Sequence, residues 1–126
     1  MPVTVEQLDS RVLLFSIIAP WTVDELQSVY PQAQEYFDAA TDKLFTIVNL
    51  TRLGVIPPGA LRARVSPFVS HPNSGQILLV GANNFAKTMA EVVFKLTNFR
   101  KIMFFQNVDE AWAYIRPLLE SGSNAA

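Results

Sequence analysis

The side chains able to move a proton, attack a carbonyl or hold an ion are few in this chain. There is one histidine, His71, and no cysteine among 126 residues. Thiolate zinc sites, iron–sulfur clusters, disulfides, cysteine nucleophiles and multi-histidine metal centres are therefore excluded. His71 sits in a proline-flanked loop and reads as a solvent-exposed or edge-capping residue. Ser66, Ser70 and Ser74 lack the Gly-x-Ser-x-Gly setting of a hydrolase nucleophile. Asp109 and Glu110 fall in the first turn of an expected helix, where carboxylates complement the dipole without needing a catalytic role. Neither the P-loop pattern nor Gly-x-Gly-x-x-Gly occurs. Gly81-Ala82-Asn83-Asn84 offers helix N–H groups to an anion, although the single glycine fits a plain tight turn better.

Charge is more telling than reactivity. The net charge is −1, but the signs are segregated along the chain. Lys43, Arg52, Arg62, Arg64, Lys87, Lys95, Arg100 and Lys101 stand against Glu91 alone. Before them, Glu6, Asp9, Asp24, Glu25, Glu35, Asp38 and Asp42 oppose only Arg11. Such segregation can fold into a bipolar surface. Arg62 and Arg64 are two residues apart, about 200° around a helix, so they cannot form one clamp. With a pI of 5.7 the chain lacks the basic excess of a nucleic-acid reader. An acidic protein surface, the chain's own acidic first helix included, suits these arginines better.

Hydrophobic residues make up 50% of the chain and charged ones 17%, which supports a real core in one domain over residues 1–126. Residues 120–126 are expected to fray. The apolar run at residues 12–19 falls well short of the ~20 residues that span a bilayer. It also follows Glu6 and Asp9 rather than a basic leader. A cytoplasmic location without membrane attachment is the expectation.

The elements that must position these groups are legible as periodicities. Val3-Thr4-Val5-Glu6-Gln7-Leu8 alternates as a strand with one wet face. Asp9-Ser10-Arg11 turns, and residues 12–18 form a second strand, paired as a hairpin. Thr22-Val23-Asp24-Glu25 is a capping box, with Trp21 and Leu26 as its hydrophobic staple. Apolar residues then recur with helical period to Ala40, and Pro31 predicts a kink or two abutting helices. Residues 44–50 form a buried strand, and a helix opening at Pro57-Pro58-Gly59 buries Leu61, Val65, Phe68 and Val69. Residues 71–75 are loop by composition, and Ile77-Leu78-Leu79-Val80-Gly81 is a strand covered on both faces. Asn83 or Asn84 caps the following helix. Its Lys87, Glu91 and Lys95 support an exposed face. Residues 102–105 are the last strand, and Asn107-Val108-Asp109-Glu110 is a second capping box for a helix through Leu119. Repeated strand–helix alternation implies an α/β fold, a mostly parallel five-stranded sheet with an antiparallel N-terminal strand and four helices.

In such sheets ligands bind beyond the carboxyl ends of the strands. Trp21, Asn49, Thr51 and Asn83 would line that rim, giving an anion or small apolar molecule a place to bind. Phe94 lies roughly 180° from its helix's apolar face, as either an isolated surface aromatic or an anchor for a partner.

The order of these patterns resembles the STAS-like family, best known for anti-sigma factor antagonists. The likeness runs over roughly residues 3–119. It is carried by Leu14-Phe15 before Trp21-Thr22-Val23-Asp24-Glu25-Leu26, then Ile47-Val48-Asn49-Leu50-Thr51, Pro58-Gly59-Ala60-Leu61, Ile77-Leu78-Leu79-Val80-Gly81, and Phe104-Phe105 with Asp109-Glu110-Ala111-Trp112. The resemblance implies a small non-enzymatic signalling module working by protein–protein contact, with no cofactor or metal. Where the family has Asp-Leu-Ser this chain has Asn49-Leu50-Thr51. Pro58 stands where a phosphorylatable serine would precede Gly59. The expected interaction surface is Thr51, Arg52, Pro58, Gly59, Leu61, Arg62 and Phe94. Its partners would be proteins, a second copy of the chain among them.

Overall fold

The structure is a computed structural model that describes residues 3–54, 72–81, 83–84, 87–88, 91 and 102–120. The helix expected at Pro57-Pro58-Gly59 lies outside the described residues.

Strands β1 (Val3–Asp9) and β2 (Val12–Ile18) form the expected antiparallel hairpin. Asp9 closes its turn by accepting from the Arg11 N–H at 3.2 Å and the Ser10 hydroxyl at 3.3 Å. Beyond Trp21 the capping box forms in full. Thr22 Oγ1 accepts from the Glu25 N–H at 3.1 Å, and Glu25 Oε1 accepts from the Thr22 N–H at 3.0 Å. The helical stretch is split into α1 (Val23–Ser28) and α2 (Tyr30–Ala39), with Val29 ending one and starting the other. Pro31 causes the split. It falls in the first turn of α2, where its missing N–H leaves no bond unmade. Burial pushes the Tyr30 phenol above its ordinary pKa of 10.0.

Strands β3 (Leu44–Arg52), β4 (Ser74–Val80) and β5 (Ile102–Phe105) then continue a five-stranded sheet of order β1-β2-β3-β4-β5, parallel from β2 onward. Helix α3 (Val108–Glu120) closes the described chain. Asn107 caps it by accepting from the Glu110 N–H at 2.9 Å. The reciprocal bond is displaced one residue, Glu110 Oε1 accepting from the Gln106 N–H. After β4, Asn84, Lys87, Thr88 and Glu91 are helical, and the Lys87 N–H donates to the Asn83 carbonyl at 2.9 Å.

Among the described residues, β4 begins earlier than its sequence reading. Ser74 and Gly75, expected in a loop, already belong to β4, and Ser74 pairs with Leu44. Asn73 makes this possible. Its side-chain amide donates to the carbonyls of Phe37 (2.9 Å) and Ala40 (3.2 Å), while its own carbonyl accepts from the Leu44 N–H. Polar residues beside a proline resemble a loop in composition, but here long-range bonds draw them into the ladder.

The topology decides which face each helix covers. Among the described residues the β2-to-β3 crossover, α1 and α2, covers one face. That face carries Val3, Val5, Leu13, Phe15, Ile17, Leu44, Ile77 and Leu79, packed against Trp21, Val29, Ala33 and Phe37. Lys87 places its ammonium 5.7 Å from the centre of the Phe104 ring on this side. Helix α3 follows the last strand and is not a crossover, so it is free to cover the opposite face. There Ala111 and Ile115 meet Val12, Phe45, Ile47, Leu78 and Val80.

Candidate functional site

The site grows from an irregularity in the β2–β3 ladder. Ser16 pairs with Asn49, yet Ile18 pairs with Arg52, so β3 spends one residue more than β2 between those pairs. Such a bulge bends its strand and re-aims side chains, and bulges concentrate next to functional sites. Asn49 braces it. Its Oδ1 accepts from the Thr51 N–H at 3.1 Å and from the Thr51 hydroxyl at 2.7 Å. On the β4 side, Gly81 adopts φ 72°, and a Cβ there would strike Thr51 Cγ2. A side chain at position 81 would thus be strained twice, by the left-handed backbone and by the threonine methyl.

Around the bulge lies an open cavity of about 320 Å³, lined by Ser16, Ile17, Ile18, Asn49, Thr51 and Arg52. It sits at the carboxyl ends of two parallel strands, where open α/β sheets hold their ligands. Ile18 is 40% exposed, one of two large apolar side chains so placed among the described residues, and its Cα partner Arg52 is exposed beside it. The lining thus joins hydroxyls, an amide, a guanidinium and an apolar flank.

Asn49, Thr51 and Arg52 lie together at the cavity, and Thr51 and Arg52, expected beyond a strand of residues 44–50, belong to β3 itself. Trp21 is not part of the cavity. It is 7% exposed in the core of the first face, and its indole N–H donates to the Leu53 carbonyl at 2.9 Å. An aromatic beside a helix cap can be rim or staple, and here the staple wins because the buried indole finds its acceptor 32 residues away. Asn83 is exposed beyond β4 and does not line the cavity either. Pro58, Gly59, Leu61, Arg62 and Phe94 lie outside the described residues. Sequence reasoning passed over Ser16 and Ile18. The available signal was Ser16 itself, a polar residue at every-second-residue spacing after Val12 and Leu14 in an otherwise apolar strand.

No family model and no curated protein matches the chain. Among solved structures it is similar to one described as "NMR structure of the protein TM1081", with a TM-score of 0.51 and 17% identity over 89% of this chain and 86% of that one. At that identity the likeness shows the fold, a sheet with β1 and β2 antiparallel and the remaining strands parallel, packed with helices. Among the described residues no helix is long and apolar enough to cross a membrane.

Proposed function

We propose that the chain is a STAS-like interaction and regulatory module of the cytoplasm, non-enzymatic, that works by docking a protein through the carboxyl ends of β2 and β3. The observation that carries the reading is the pairing of exposed Ile18 with exposed Arg52 beside Thr51. Arginine together with exposed apolar side chains is the composition favoured at protein interfaces. The sequence resemblance supplies Pro58, Gly59, Leu61 and Arg62, and the helical spacing that sets Phe94 opposite its helix's apolar face adds that aromatic. Because Pro58 cannot be phosphorylated, the module works without the usual serine switch.

The test is quantitative affinity purification from the native cell with the full chain. A docking module should retain at least one protein in near-stoichiometric amount, and Arg52→Glu or Phe94→Asp should release it. A control on α2, Gln34→Glu, should not. Identical retention by all four proteins, or turnover of a metabolite abolished by Thr51→Ala, would overturn the proposal.

A further inference from the structure

The cavity at the bulge has a chemical polarity of its own. A backbone N–H can only donate, so the Asn49 side-chain atom facing the Thr51 N–H must be its oxygen. The same oxygen also receives the Thr51 hydroxyl proton, which fixes the amide from two sides. The Asn49 oxygen is thereby committed inside the strand, leaving the two Nδ2 hydrogens for whatever enters the cavity. The Ser16 hydroxyl has no hydrogen-bond partner among the described residues, and no carboxylate among them pairs with Arg52. Three neighbouring side chains thus offer donors, one of them permanently charged, and the lining residues include no acid.

We infer that this cavity binds a small oxyanion, a carboxylate or phosphate group, held by the Arg52 guanidinium, the Asn49 amide and the Ser16 hydroxyl. A planar guanidinium matches two oxygens of such a group, and charge-assisted bonds of this kind are the strong ones. Ile18, 40% exposed on the same face as Ser16, supplies an apolar flank for the carbon skeleton that carries the group. At about 320 Å³ the space is at the small end of ligand cavities, which suits a compact ligand. The inference goes beyond protein docking and does not depend on it.

The test is a two-dimensional amide NMR titration of the full chain with sodium phosphate and with sodium acetate, against sodium chloride at matched ionic strength. Saturable shifts at Ser16, Asn49, Thr51 and Arg52 with phosphate or acetate, absent with chloride, are expected. Whichever salt saturates at the lower concentration identifies the group. Arg52→Gln should weaken the response about tenfold or more, and Arg52→Lys should keep part of it. Asn49→Asp is the sharper variant. It retains an oxygen for Thr51 but replaces both outward donors with a negative charge, so binding should vanish while the remaining spectrum stays dispersed. A response equal to that of chloride, or undiminished in Asn49→Asp and Arg52→Gln, would overturn the inference.

Discussion

The two faces of the sheet are built from the same strands, yet they end differently. Along β2, the first face presents Leu13, Phe15 and Ile17, all buried from one end to the other. The second face presents Val12 fully buried, Leu14 and Ser16 partly so, and Ile18 at 40% exposure. Strand β3 shows the same gradient, from buried Phe45 and Ile47 to half-buried Asn49 and exposed Thr51. The cause is topological. Among the described residues the β2-to-β3 crossover, α1 and α2, packs on the first face, whereas α3 packs on the second, where it meets Val12 but not the far ends of β2 and β3. The cavity is therefore where coverage ends.

That contrast can be broken most forcefully from inside. Phe37→Ala should cost about 4 kcal/mol, since it empties a fully buried site on the first face. Ile115→Ala on the second face should cost less, about 3 kcal/mol, because α3 is a single helix that can settle into the gap. Urea denaturation measures both. If Ile115→Ala proved the costlier, α3 would be the principal support of the sheet and the contrast would invert.

A substitution at the rim tests whether the bulge is held from β4. Gly81→Ala should lose about 2 kcal/mol through its left-handed backbone and the collision with Thr51. Thr51→Ser removes the offending methyl and should recover part of that loss in the double variant, the coupling being read by a denaturation cycle. Strict additivity would show that the two strand ends do not communicate.

The smallest effect runs the other way. Thr46 is fully buried in β3, and its hydroxyl finds no hydrogen-bond partner. Thr46→Val keeps the shape and discards the unmatched polar atom, so it should raise stability by about 1 kcal/mol in the same assay. A loss instead would mean that the hydroxyl has an acceptor in solution.

Among the described residues the framework was legible where its signals are local. Thr22 and Glu25 lie three residues apart and make the bonds that spacing implies. Pro31 divides its helix where a missing donor is harmless. Four-residue Ile102–Phe105 reads as a strand from its apolar run alone. What escaped depends on distant partners. Ser74 joins β4 only because Leu44 pairs with it, and Trp21 turns inward because Leu53 offers it an oxygen. The bulge is a mismatch between two strands, so neither strand's own pattern announces it; Asn49, Thr51 and Arg52 were identifiable as polar rim residues, but not their shared cavity with Ser16 and Ile18.

Asn73 has a consequence for how the molecule breathes. Its side chain holds the last carbonyls of α2 while its main chain holds the first residue of β3 and leads directly into β4. Fraying of that helix terminus therefore cannot proceed as a private event, because releasing it also loosens the bottom of two central strands. Amide exchange there should follow the sheet's slow opening rather than the fast unwinding usual at helix ends.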